Sequence, residues 1–396
     1  MRKFMKAIMA AGAAFALTAA ASAGEVRIGF VTTLTTPAGV IGKDMVDAAN
    51  LALEHMGGKM AGLEVKLIVE DDGFRPDTGR QKTVKLIKQD DVHFLTGYIW
   101  SHVLMAARKP ALDAGKFLIS ANAGPAPIAG KLCHENFFST SWQNDQIPMA
   151  TGEMLNRQNV TTAYFMAPNY TAGKNIMAGF TRTFKGRILG RDLTKWGKDA
   201  QLDFSAELAK AKASGAKALV AFYPGKAGVA FIRQFVQAGL DGRMRLQPIF
   251  TLDAMSLPRF QQAGMDIVLG MHDAHFWSPD LDNDANRRFV ADFRKKYGRT
   301  PSFYAAQAYD AINLIRAGVE GAKGRLEDKD AIRAAMKKAD FGSVRGKFTY
   351  GNNHFPIQDF YAREVIEGED GKWTFRIIKK VYEAHQDPYA KDCPLK

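Results

Sequence analysis

The chain is nearly without cysteine, with 2 in 396 residues. That excludes a disulfide-dense scaffold and a four-cysteine zinc site. No internal apolar run reaches the ~20 residues that a membrane-spanning helix requires. The net charge is +13, but Lys and Arg are scattered, with no dense basic run and no nucleic-acid motif. A nucleic-acid partner is therefore not expected. Enzymatic signatures are missing as well. No G-x-S-x-G nucleophile elbow follows a strand pattern, and neither H-E-x-x-H nor the G-x-x-x-x-G-K-[ST] phosphate loop occurs. The 8 histidines are mostly isolated. His272 and His275 lie close together around Asp273, but two nearby ligands rarely suffice for a metal. The plain reading is a polar stretch beside a cleft, so no enzyme, metal or cofactor is expected.

What is present is an ordinary globular composition, 46% hydrophobic and 24% charged, which excludes global disorder. The length suits two domains. The first residues differ from the rest. Arg2, Lys3 and Lys6 precede an apolar stretch over 7–20, and Ala21-Ser22-Ala23 fits a small-residue cleavage site. Residues 1–23 are expected to be a cleaved secretory signal, placing the mature chain in the periplasm. Export puts Cys133 and Cys393 in an oxidising compartment, so one disulfide between them is expected rather than two free thiols. The excess positive charge has two readings: attraction of small anions by a positive field, or an ordinary solvated surface.

Strand-length apolar runs recur at 26–31, 65–70, 94–99, 117–120, 161–167, 218–223, 246–251 and 267–271. Most are apolar throughout, as in parallel strands buried on both faces. Helical spacing fills gaps at 43–56, 78–89, 102–114 (with Pro110 inside), 146–157, 204–214, 225–238, 284–297 and 303–322. The order is α/β with right-handed crossovers, broken near 130–150. The pattern predicts two lobes. Helices 284–297 and 303–322 lack an intervening strand and suggest a return to the first lobe. The end, at 344–350, 359–366 and 373–381, is rich in alternating strand patterns.

In open parallel sheets ligands sit at the carboxyl ends of strands. The loops there offer Ser101 and the backbone N–H groups near 122–124, where helix starts favour an anion. Tyr98, Trp100, Tyr170, Tyr223 and Phe276 offer flat apolar walls. For Trp100 and Tyr170 core packing is the competing reading, and for Ser101 a simple helix cap. His102 is read either as an anion donor or as a cap.

Several segments together carry a resemblance. They are 28–42 (IGFVTTLTTPAGVIG), 63–91 (LEVKLIVEDDGFRPDTGRQKTVKLIKQDD), 97–101 (GYIWS), 119–124 (ISANAG), 137–145 (FFSTSWQND) and 168–174 (PNYTAGK). In this order and spacing the chain resembles periplasmic solute-binding proteins of the leucine/isoleucine/valine-binding type. The resemblance covers the whole mature chain. It implies two doubly wound α/β lobes joined by three crossings, closing on a ligand. The expected division is 24–140 plus 275–355 for one lobe and 141–274 plus 356–396 for the other.

It also implies roles. Ser101 and the backbone of Asn122 and Ala123 would hold a ligand carboxylate, and Gly124 stands where the family has a Thr. Tyr170 and Tyr223 would flank the ligand, Asp253 stands where a Glu binds an α-ammonium, and Ile41 replaces a first-loop aromatic. Segments GYIWS, ISANAG, FFSTSWQND and PSFYAAQAYD look closer to the branch linked to aromatic acids. The expected function is capture of a small carboxylate, of benzoate type, for an ABC permease in the inner membrane. A branched-chain amino acid or amide binder, or a sensory partner presenting ligand to a membrane receptor, is the alternative.

Overall fold

The computed structural model describes residues 24–197 and 200–395. The leader expected over 1–23 lies outside them. The first lobe is built from β1 (Glu25–Thr32), α1 (Gly39–His55), β2 (Lys59–Met60), β3 (Leu63–Asp71), α2 (Pro76–Lys88), β4 (Phe94–Gly97), α3 (Ser101–Asp113), β5 (Phe117–Ser120), α4 (Ala126–Ala129) and β6 (Phe137–Ser139). Its sheet has the order β2-β3-β1-β4-β5-β6 and is parallel except for the β2–β3 pair. Val26, Ile28, Phe30 and Val31 are fully buried in β1, as a largely apolar strand flanked on both sides in such a sheet requires. The chain runs from β1 out to β3 and then back past β1 to β4. The loops after β1 and β4 therefore diverge and leave a crevice at the strand ends.

The second lobe repeats the plan with α5 (Gln146–Arg157), β7 (Thr162–Pro168), α6 (Thr171–Thr183), β8 (Arg187–Thr194), α7 (Ser205–Ser214), β9 (Ala218–Ala221), α8 (Lys226–Gln237), β10 (Arg245–Pro248), α9 (Leu257–Gln262) and β11 (His272–His275). Its parallel order is β10-β9-β7-β8, with the turning point between β7 and β9. Next come α10 (Asp284–Tyr297), α11 (Phe303–Gly321), α12 (Lys329–Lys338), β12 (Thr349–Tyr350), β13 (Pro356–Glu367) and β14 (Trp373–His385). Helix α11 packs against α1 and α12, and Arg299, just before it, pairs with Asp44 and Asp47 of α1. The β13–β14 hairpin instead lies against α5 and α9 and pairs with β11. The chain thus passes between lobes three times: after β6, after β11 and around β12.

Three local expectations are corrected. The apolar run 267–271 is not a strand. Asp266–Val268 forms a single 3-10 turn, and Gly270 takes a left-handed φ of 74° while its N–H donates to Val365 O. The strand is the polar segment that follows, β11. It tolerates burial because the Asp273 carboxylate receives Arg363 of β13 at 2.9 and 2.5 Å. Residues three apart on a strand face opposite sides, so His272 and His275 do not converge. Segments α6 and β8 had no expected element. The β8 sequence RILGRDLT is largely exposed at a sheet edge, so it lacks the apolar signature. Helix α3 spans Ser101–Asp113 with Pro110 inside it, starting one residue before the expected 102–114.

Cys133, after α4, and Cys393 form a disulfide with Cα atoms 5.7 Å apart. Among the described residues no helix is long and apolar enough to cross a membrane.

Candidate functional site

The strand ends of the two sheets face each other across a narrow cavity. Ile99, Trp100, Ser101, Asn122 and Ala123 line it from the loops after β4 and β5, with Tyr304 from α11. Tyr170, Ala172, Ile176, Phe222, Pro224 and Phe250 line it from the second lobe, and Trp142 and Asn144 from the first crossing. With the lobes as they stand it measures ≈ 20 Å³, room for about one water molecule. A ligand therefore enters only as the lobes part.

A backbone kink delivers the first-lobe residues. Gly97 and Tyr98 both adopt left-handed φ, 98° and 56°. A Cβ at Gly97 would stand 2.2 Å from Val31 O. Tyr98 is held in this costly conformation from all sides. Its N–H donates to Val31 O at 2.6 Å, its carbonyl accepts from Ala123 N–H at 3.1 Å, and its phenol bonds the Thr83 hydroxyl at 2.9 Å. The next three residues are thereby turned into the cleft. Trp100 stacks on Phe74 with centroids 4.2 Å apart, and its Nε1–H donates to Thr33 Oγ1 at 2.8 Å. Thr33 in turn donates to Asp72 Oδ1 at 2.5 Å, whose carboxyl burial pushes up to about 6.

The polar groups suit an anion. Helices α3 and α6 begin at the cavity, and their first N–H groups lack partners within the helix. Ser101 Oγ accepts from Asn144 Nδ2 at 3.0 Å, which leaves the hydroxyl proton free to be given away. Asn144 also ties the crossing to the β5 loop, accepting from Gly124 N–H at 3.2 Å and donating its own N–H to Gly124 O at 2.8 Å. Asn122 Nδ2 is committed to Ile99 O at 2.6 Å. Its Oδ1, like Trp142 Nε1, is buried with no protein partner. Such atoms each cost ~1–3 kcal/mol when left unpaired, so a ligand that reaches them gains by pairing. Among the described residues, no Lys, Arg, Asp or Glu lines the cavity.

The walls are aromatic. Trp142 stacks on Phe250 at 4.8 Å, and Tyr170 lies between Phe222 at 6.2 Å and Trp196 at 5.8 Å. Trp100 and Trp196 meet edge-on at 5.9 Å across the cleft. Burial drives the Tyr170 and Tyr304 phenols far above their ordinary range, so both stay neutral hydrogen-bonding groups.

Of the residues singled out in the sequence, Trp100, Ser101, Asn122, Ala123 and Tyr170 line the cavity. The others stand behind or beside it. Tyr98 is the buried pivot. His102 rests against Tyr170 at 5.4 Å with Nδ1 unpartnered, and burial lowers its pKa to about 4. Gly124 is packed so tightly that a Cβ would meet Trp142 O at 2.0 Å, so no Thr fits there. Tyr223 points into the second-lobe core, against Phe204 and Phe231. Its neighbour Phe222 faces the cavity, since adjacent residues of an extended segment face opposite ways. Asp253 borders a separate crevice beside Val40 and Gly225, with Oδ1 accepting from Ser256 N–H at 2.8 Å. Burial pushes its carboxyl up to about 6. Ile41 is buried opposite Gly225. Phe276 backs Trp142 at 5.6 Å and carries the Arg345 guanidinium on its other contacts. Trp142, Asn144, Phe222, Phe250 and Tyr304 were not picked out. Trp142, Asn144 and Tyr304 sat inside quoted segments, but no local spacing signals a side chain that reaches the cleft from a crossing or a distant helix.

The family described as periplasmic binding protein matches residues 25–372. The chain belongs to that family. A curated relative, the Leu/Ile/Val-binding protein homolog 6 of Brucella melitensis, is 26% identical over 403 residues, covering 98% of this chain and 99% of its own. A solute-binding protein of an ABC transporter from R. palustris, solved in complex with benzoate, superposes with a TM-score of 0.86 at 28% identity, covering 94% of this chain and 100% of that one. A second, from Rhodopseudomonas palustris in complex with 3,4-dihydroxy benzoic acid, gives a TM-score of 0.83 at 25% identity, covering 92% and 99%. This binding protein is accordingly of the ABC-transporter type, and its family is periplasmic. Family and neighbours alike are substrate-binding proteins rather than enzymes.

Proposed function

We propose that the cleft captures an aromatic monocarboxylate of benzoate type and hands it to a permease of an ABC importer in the inner membrane. The observation that carries this reading is the makeup of the lining: aromatic faces on both lobes, the Ser101 hydroxyl at the start of α3 and, among the described residues, no charged side chain. Once the lobes part to admit it, a flat ring can be sandwiched by Trp142, Tyr170, Phe222 and Phe250. Its carboxylate is held by Ser101 and the α3 N–H groups without a fixed cation. An α-amino acid would bring an ammonium with no carboxylate to meet it, because Asp253 stands outside the cavity. The benzoate and dihydroxybenzoate complexes of the two neighbours support the same class of ligand. The curated relative's name favours branched-chain amino acids as the second reading. Titration calorimetry of the ligand-free protein decides between them. Benzoate is expected to bind saturably and leucine to give no heat; leucine binding with benzoate silent would refute the proposal.

A further inference from the structure

Arg245 opens β10 at the end of the second sheet far from the cleft. Its guanidinium is half-buried, and among the described residues no carboxylate pairs with it. Its one side-chain contact is Nη2 to His272 Nδ1, at 3.5 Å. Gln158 Nε2 lies 3.4 Å from the same nitrogen. Two donors thus converge on a single lone pair, both at long range, while the guanidinium has five N–H groups to satisfy. A half-buried cation in this state is uncompensated.

Arg245 lines an open surface pocket of ≈ 380 Å³, of the size of small-molecule sites. Phe235, Met244, Leu246, Ile267, Leu269 and Met271 form its walls. Asp241 also borders it, but is exposed and makes no pair with Arg245. One unmatched cation beside a wall of mixed polarity that carries two methionines able to adapt to shape is complementary to one kind of molecule.

We propose that this pocket is a second ligand site, distinct from the cleft, that takes a monoanionic amphiphile: a carboxylate on Arg245 with an apolar tail against the methionines. The proposal does not depend on what the cleft binds. Octanoate is the probe, read by the methyl signals of ¹³C-labelled methionine in the full mature protein and by calorimetry. Octanoate should shift the Met244 and Met271 signals. Arg245→Gln should weaken it about tenfold or more, Arg245→Lys much less, and octanol should bind about tenfold more weakly than octanoate, since the charge-assisted bond is lost. Ser101→Ala, which weakens benzoate in the cleft, should leave the octanoate shifts of the Met244 and Met271 signals in place. The proposal is overturned if millimolar octanoate leaves both methyl signals in place, if octanol matches octanoate, or if Ser101→Ala abolishes the octanoate signal. If Arg245→Gln does not fold, as its melting curve would show, the Lys variant and the octanol comparison still decide.

Discussion

Ser101 receives a hydrogen bond from Asn144 and keeps its own proton to give. Ser101→Ala should therefore cost benzoate affinity roughly ten- to a hundredfold, the ~1.5–3 kcal/mol of a bond to a charged acceptor. Calorimetry that finds the affinity unchanged would remove Ser101 from the anchor. A contrast between neighbours makes a second test. Phe222→Ala should weaken the ligand by removing a wall. Tyr223→Phe should leave affinity intact and lower stability by ~1 kcal/mol, through loss of its 3.2 Å contact with Thr194. Reversed outcomes would mean that the two rings are turned the other way in solution. Gly124→Thr should destabilise the fold by ~1–3 kcal/mol, because its Cβ meets the Trp142 carbonyl. These residues also show what was legible in advance. Ser101 and Trp100 follow directly from their place after a strand. Tyr223 was one residue off, because a loop beyond a strand does not announce its parity. Trp142 and Tyr304 reach the cavity only through tertiary structure.

At the level of elements, the loop joining β3 to α2 carries the Asp72–Thr33–Trp100 relay. Burial raises the Asp72 carboxyl from 3.8 to about 6, so the folded state holds this proton more tightly than the unfolded chain does. Its contribution to stability is full below the unfolded value and is lost as pH rises through about 6. The gap corresponds to up to ~3 kcal/mol. The stability difference between wild type and Asp72→Asn should therefore drift by an amount of that order between about pH 4 and pH 7. Urea melts at a series of pH values would read it, and a constant difference would show that Asp72 is not the buried acid described here. The elements themselves were readable where burial on both faces writes continuous apolar runs, as in β1, β5 and β9. They were unreadable where an edge strand stays exposed, as in β8, or where an ion pair replaces apolar packing, as in β11. There the apolar run just upstream drew the strand one segment too early.

At the scale of the whole molecule, rings from the two lobes already touch across the cleft, through Trp100, Trp196, Tyr170 and Phe74. On the proposed function, a ligand that bridges the lobes would draw them together around itself, in a closed form slightly wider than the present one. Benzoate should therefore reduce the radius of gyration in small-angle scattering and raise the melting temperature; an unchanged radius at saturation would argue against closure as the binding step. The two-lobed plan was legible because strand–helix units repeat, whereas the pairing of β13 with β11 was not, being long-range. The disulfide has a consequence in time. Its cysteines lie 260 residues apart in sequence, and a growing chain lengthens at about 5–20 residues per second, so roughly 13–52 s separate the making of Cys133 from that of its partner. Over that interval Cys133 has no native thiol to join. The bond therefore cannot close until all of the chain that separates its cysteines has been made.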